Sequence, residues 1–467
     1  MRRRNRIPGC GLLLALFVCA GCVSGPTAEL IPAEVRVEST GTTARDVRSG
    51  VLPWWDYLDD KDLDGLIRAA LVANPTPRIA AARLARARED LTVARSGLIP
   101  AVQGRQSRDG VRFKEPETDT RSDLSALEVS WNPGGWGLRQ LEMDLARQVG
   151  EALWFEQQDV ELILSATIAD TYFQIVELGG QRRLLQAQIE VSEDLEDLIE
   201  ARFRLGQARA NELYQQRAQT TVLRQLKVAN DARAEVLEAN LDVLLGEAPD
   251  DASRVRRQAL PEEPTAIGTG SPDELIRHRA DIRAAYARVQ QAAAQVGIRI
   301  ANRLPALRVT TNLASLTDRT LSTGVIGYVL DLSMPLFTGA RLEGLERQAR
   351  FAFEEARQRY LQVWLAALEE VNTLDIRFRR QKEIIATLTA RRGHARQALD
   401  AARNRYILGD QNYLDVLTAL RALQEADRLL VAERRQLVSL SIFARQSAGQ
   451  PMCLGNTDCT ANWALEG

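Results

Sequence analysis

The chain has 467 residues, 45% hydrophobic and 26% charged, with a formal net charge of −2. That balance describes a folded protein, and it lacks the basic excess of a nucleic-acid binder. The two histidines, His278 and His394, stand far apart on polar, Arg-rich stretches and read as solvated side chains. No CxxC or HxxxH spacing outside the leader offers a metal site, and no convergent nucleophile, base or cofactor motif points to an enzyme.

Residues 1–21 read as a signal peptide. Arg2, Arg3, Arg4 and Arg6 form a basic start, a short apolar run follows from Gly11, and Cys19-Ala20-Gly21-Cys22 closes it with small residues. The apolar run is too short to span a bilayer. Cleavage near Ala20 with Cys22 incidental fits the pattern. The small-small-Cys ending also resembles the bacterial lipoprotein box, which makes Cys22 the candidate lipid-attachment site despite Cys19 where a leucine is usual. Residues 22–60 then read as an irregular segment carrying Trp54-Trp55. At the other end Cys453 and Cys459, with five residues between them in an exported chain, form a candidate disulfide.

Proline marks the plan of the rest. Two long stretches, 134–248 and 336–450, contain none. Proline inside a helix costs about 3 kcal/mol, so these are the places for long helices. Three landmarks recur about 200 residues apart: Pro100 and Pro305, the P-x-x-x-G pairs Pro133–Gly137 and Pro335–Gly339, and Gly206 and Gly409. Near-constant offsets mean a tandem repeat. The first unit covers 61–248 and the second 273–450, joined by a Pro-, Gly- and acid-rich linker, 249–272, and followed by a tail, 451–467.

In each unit the order is helix, two strands, then a long helical hairpin. The first helix is expected over 63–98, broken near Asn74-Pro75, and its partner over 273–304. In the strands, Leu127, Val129 and Trp131 alternate with Glu128 and Ser130, and Ile326, Tyr328, Leu330, Leu332 and Met334 alternate with smaller or polar residues. Such segments suit a membrane β-barrel, although a strand in a soluble sheet gives the same pattern. Four strands per chain cannot close a barrel, so a barrel would need several chains. Residues 339–408 read as one helix of roughly 100 Å. After its turn, Val416, Leu423, Leu430 and Leu437 recur every seven residues, with Leu420 between, as a coiled-coil seam; Asp427 and Arg434 interrupt it.

The repeat, the P-x-x-x-G openings, the lipoprotein box, Trp54-Trp55, Asn74-Pro75, the run Asp281-Ile282-Arg283-Ala284-Ala285 and the segment from Arg405-Tyr406 to Asp415-Val416-Leu417 together resemble the TolC family of outer-membrane efflux proteins. The subgroup is the lipoproteins that serve resistance-nodulation-division pumps, and the likeness covers essentially the whole mature chain. Ala280 departs from the proline often found there. The resemblance implies a mainly α protein with a small β part. Its long antiparallel coiled-coil helices form an α-barrel, and each chain of a homotrimer gives four strands to a twelve-stranded β-barrel in the outer membrane. It also implies a periplasmic adaptor and an inner-membrane pump as partners, and a passive tunnel that takes its energy from the pump.

The helical tips are then the site of interest. Gly206 and Gly409 suit the left-handed residue that ends a helix, and Asp410 or Asn412 suits a cap for the helix that follows. That accounts for the glycines without Glu212, Asp415, Phe203 or Tyr406. The resemblance implies a periplasmic gate in which Asp415 faces the lumen and Tyr406 hydrogen-bonds toward Glu212; a solvated helix acid is the other reading of Asp415. Phe203, lacking a hydroxyl, is expected to pack. Thr418 and Gln411 stand where the family often has a second aspartate and a latching arginine, which implies a weaker closure. The turns Leu205-Gly206-Gln207-Ala208 and Leu408-Gly409-Asp410-Gln411 are the implied adaptor contacts. Competing readings are a type I protein-secretion conduit of the same architecture, a lipidated periplasmic adaptor, which would show one hairpin between β-domains, and an exported enzyme.

Overall fold

The computed structural model describes residues 53–114, 117–250, 252–261, 278–318 and 322–449. Cys22, Cys453, Cys459 and half of the linker, residues 251 and 262–272, lie outside them. Helices α1 (Lys61–Ala73) and α2 (Pro75–Ser96) precede strands β1 (Ala101–Lys114) and β2 (Glu117–Trp131), then helices α3 (Leu138–Arg204) and α4 (Ala210–Leu245). The second unit repeats this with α5 (Ala280–Ala301), β3 (Ala306–Asp318), β4 (Ser322–Ser333), α6 (Arg341–Ile407) and α7 (Tyr413–Ser447). The two longest helices are both 67 residues, about 100 Å at 1.5 Å per residue. Among the described residues no helix is long and apolar enough to cross a membrane.

The break between α1 and α2 falls at Asn74. Its side chain accepts from the Thr76 N–H at 2.8 Å, Pro75 takes the first helical position, and its Nδ2 donates to the Leu244 carbonyl at 2.8 Å. That last bond ties the end of α4 to the α1–α2 junction. Gly246, in the left-handed region at φ +82°, comes so close to Ala73 that a Cβ would lie 2.9 Å from its backbone. The second unit makes the same junction: Gly449, at φ +65°, abuts Arg279 ahead of α5, which donates to the Ser447 carbonyl at 2.9 Å. Short helices therefore stack end to end beside the long ones. Toward the sheet the lateral order is α2–α3–α5–α6, and toward the tips it is α4–α3–α7–α6. In both rows α6 is one outer edge and α2 or α4 the other.

The four strands form one antiparallel sheet in the order β1-β2-β3-β4. Register puts Val102 opposite Val129, Leu127 opposite Leu313, and Leu313 opposite Ile326. Because side chains alternate across a strand, these share one apolar face, together with Tyr328, Leu330 and Leu332. The other face carries Gln103, Arg105, Glu128, Arg308, Asn312 and Asp331. Ile326 and Tyr328 are 76% and 85% exposed in the single chain, so none of the described residues covers the apolar face there.

The main core lies midway along the helices, where Leu63, Ile67, Ile168, Tyr172, Phe173 and Leu241 pack with Trp54 and Trp55. The expectation that residues up to 60 are irregular is corrected here. Trp54–Leu58 forms a 3₁₀ turn, and Trp54 donates to Ser165 Oγ at 2.9 Å. Burying two indoles with satisfied N–H groups fixes this segment against α3. Val416, Leu420, Leu423, Leu430 and Leu437 are all buried along α7, while Asp427 is half-buried against Arg392 at 2.5 Å. His278 and His394 are exposed.

Where α3, α5 and α6 meet, a cavity of about 380 Å³ is lined by Glu156, Asp159, Arg279, Asp281, Arg288 and Glu370, among others. Arg279 bridges Asp281 at 2.8 Å and Glu370 at 2.9 Å, and Arg288 pairs with Glu156. Burial, reinforced by Asp281 and opposed by Arg279, pushes the Asp159 carboxyl up to about 6. A raised carboxyl stabilises the fold most below the unfolded value and loses that contribution as pH rises through about 6. Asp159→Asn should therefore flatten the fall in thermal midpoint between about pH 4 and 6.5. An unchanged slope by differential scanning fluorimetry in detergent would show that Asp159 is not the titrating group.

Candidate functional site

Both tips are built the same way. At the end of α3, Gly206 is left-handed at φ +71°, with Gln207 N–H donating to the Arg202 carbonyl at 2.8 Å and Gly206 N–H to Phe203 at 2.9 Å. At the end of α6, Gly409 is left-handed at φ +81°, with Asp410 N–H donating to Arg405 at 3.0 Å and Gly409 N–H to Tyr406 at 3.1 Å. These paired bonds satisfy carbonyls that a helix end would leave open, and only glycine enters the geometry without strain. The capping expectation is corrected. Asn412 occupies the cap position of α7 but its side chain makes no cap bond, and Asp410 instead faces Arg405 at 3.7 Å.

The two hairpins meet through an apolar cluster of Ile199, Leu213, Tyr406, Tyr413, Val416 and Leu417, among others. Tyr406 donates to Glu212 Oε2 at 3.3 Å, a long bond, and the Arg202 guanidinium lies 4.6 Å over its ring. Burial, then Glu212, raises the Tyr406 hydroxyl above the ordinary phenol value. Asp415 stands apart from this group. It is exposed on the first turn of α7 and accepts from Gln411 at 3.0 Å. Phe203, expected to pack, is 41% exposed in the protomer. Leu205 and Leu408 project furthest, at 72% and 81% exposed, while Gly206, Gln207, Gly409 and Asp410 are exposed and Ala208 and Gln411 are half-buried.

Behind Tyr406 lies a set of contacts that sequence reading missed. Tyr413, fully buried, donates to Gln216 Oε1; Gln216 Nε2 donates to the Ser192 carbonyl at 2.6 Å and to Ser192 Oγ at 2.7 Å. Further along the seam, Gln219 donates to Gln424 Oε1 at 3.0 Å and Gln188 to the Gln424 carbonyl at 3.3 Å. Glutamines at helical spacing on helices that otherwise carry coiled-coil leucines are the signal that could have found them.

Comparison with known proteins fits this geometry. The family model for the outer membrane efflux protein (OEP) matches residues 66–247 and 271–450. The pyoverdine export outer membrane protein OpmQ of Pseudomonas aeruginosa is 26% identical, over 94% of this chain and 96% of its own. The toluene efflux pump outer membrane protein TtgC of Pseudomonas putida is 24% identical, over 94% of each chain. Among solved structures, the outer membrane protein VceC of Vibrio cholerae gives a TM-score of 0.79 at 26% identity, covering 85% of this chain and 99% of that one. The outer-membrane channel OprN gives 0.83 at 24% identity, covering 92% and 99%.

The tip geometry makes one prediction. A side chain in the left-handed region costs about 1 kcal/mol, so Gly409→Ala should speed hydrogen exchange of the tip amides about fivefold and leave the middle of α6 unchanged. Equal exchange at the tip would contradict the role assigned to Gly409.

Proposed function

Because this chain belongs to the outer membrane efflux protein family, we propose that it is the exit duct of a three-part export assembly, receiving small molecules from an inner-membrane pump through a periplasmic adaptor. The observation that carries this reading is the sheet: one apolar face, one polar face, and two outer edges, on β1 and β4, without a partner strand among the described residues. In a bilayer each unpaired backbone group costs several kcal/mol, so the edges must be closed by further copies. Three copies supply twelve strands, their polar faces lining a water-filled bore and their apolar faces meeting lipid. The helical rows support the same count, since α6 on one side and α2 and α4 on the other are left open for a neighbour.

The long helices then carry the bore inward, and the tips close it. Asp415, exposed on α7, is placed by this reading toward the lumen, where three like charges repel anions and favour cations. Tyr406 and Glu212 hold the two hairpins of one protomer together. The projecting Leu205 and Leu408 with their turns offer the adaptor apolar knobs. Cys22 is proposed as the lipid-attached residue; acyl chains contribute about 0.8 kcal/mol per buried CH₂, so several on one cysteine anchor the chain end firmly. Small-molecule cargo is supported by the relatives named for pyoverdine export and toluene efflux. With a bore as the binding surface, selectivity belongs to the pump.

Two measurements test this reading. In planar bilayers the purified protein should form cation-selective pores, and Asp415→Ala should weaken block by multivalent cations; identical current–voltage curves would remove Asp415 from the lumen. Cys22→Ser should abolish incorporation of labelled palmitate in cells, and retained label would place lipidation elsewhere or nowhere.

A further inference from the structure

We infer that the aperture is held shut chiefly by a buried bolt, the chain Tyr413–Gln216–Ser192, and that the Tyr406–Glu212 contact, buried only on its tyrosine side, is secondary to it. The inference rests on the reading of the tips as a closable aperture and names the residues that set its resting state.

The bolt joins three helices. Tyr413 lies at the start of α7, Gln216 on the second turn of α4, and Ser192 on α3, three turns before the tip. Tyr413, Gln216 and Ser192 are each 0% exposed. Gln216 uses its whole amide: the oxygen accepts from the Tyr413 hydroxyl, and the two N–H groups donate to Ser192 O and Oγ. Ser192 Oγ then lies 3.1 Å from Thr220 Oγ1, and Thr220 donates to Glu196 Oε2 at 3.2 Å, returning the chain to α3. A carboxylate at 216 could not donate to the Ser192 carbonyl, and an apolar side chain could neither donate nor accept. The amide is the group that satisfies both sides.

Burial decides which contact controls opening. For α7 to move away from α4, the Tyr413–Gln216 bond must break inside a buried cluster, where neither group finds a replacement until the seam has parted. Its breakage is therefore felt early and in full. Tyr406 donates to Glu212 at 3.3 Å, near the limit of a useful bond, and Glu212 is half-buried, so water replaces the contact as it stretches. The rings of Tyr406 and Tyr413 meet edge to face at 5.9 Å, so the outer tyrosine also braces the inner one. In this arrangement the outer contact adjusts the closed state and the inner one defines it.

The test compares conservative variants that keep the packing. Tyr413→Phe and Gln216→Met each remove one end of the bolt, and Tyr406→Phe removes the outer contact. Single-channel recording of the purified protein at fixed voltage should show open probability rising about tenfold for Tyr413→Phe and no more than about twofold for Tyr406→Phe. Gln216→Met should match Tyr413→Phe. The double variant should open no further than the more open single, because both changes remove the same Tyr413–Gln216 bond. Effects that multiply in the double variant would overturn the inference, as would Tyr406→Phe opening more than Tyr413→Phe. Thermal unfolding of each variant, followed in the same detergent, separates a loosened gate from a loosened fold: the bolt predicts a gating change with the midpoint of the helical body preserved. If Asp415→Ala alters cation block while Tyr413→Phe leaves gating untouched, the aperture stands and the bolt falls. If none of the four substitutions changes the current, the aperture reading itself falls, and the bolt with it.

Discussion

The unpaired outer edges of β1 and β4 constrain everything else in this molecule. A sheet with one apolar face belongs against lipid or a core, and here none of the described residues covers Ile326 or Tyr328. Lipid accepts the side chains but not the bare backbone, so the sheet can enter a membrane only as part of a closed barrel. Closure by copies of the same chain sets the symmetry of the helices below. In the proposed assembly each protomer presents α6, the outer edge of both helical rows, to one neighbour and α2 and α4 to the other, and the bore of the barrel continues between the helices.

The tandem repeat makes that continuity simple to encode. Each unit contributes one helix of 67 residues that runs without interruption from the sheet corner to the tip, and two shorter helices stacked beside it. The stacking junctions need a residue that is both small and left-handed, which Gly246 and Gly449 provide. The two units differ at the tips. Tyr406 and Tyr413 of the second unit reach across to Glu212 and Gln216 of the first, so the hairpins are joined by unlike partners. A repeat that builds two equal arms has diverged where the arms must hold each other.

Much of this was legible because long-range order leaves short-range marks. Proline-free stretches located the long helices, strict alternation located the amphipathic strands, and Gly206 and Gly409 marked the helix reversals by the one conformation that other residues avoid. The rest was hidden for physical reasons. Gln216 and Ser192 look like solvated residues on a polar helix face, and they are buried only where α3, α4 and α7 come together. Trp54 and Trp55 sit in a segment without periodicity, and their burial depends on α1 and α3 arriving from elsewhere in the chain. Phe203 was read as packing because it lacks a hydroxyl, yet within one protomer it is exposed. Side-chain caps for α7 at Asp410 and Asn412 were expected from residue type, but Asp410 turns to Arg405, and at Asn412 the backbone carbonyl rather than the side chain accepts from the Asp415 N–H.

Subunit count is where the account is most exposed. Native mass spectrometry of the full protein, extracted from outer membranes in mild detergent, measures it directly. Edge closure by copies of this chain predicts a single dominant species of three subunits that dissociates only with loss of the β-structure. A monodisperse, folded single subunit that keeps its strands would contradict the account.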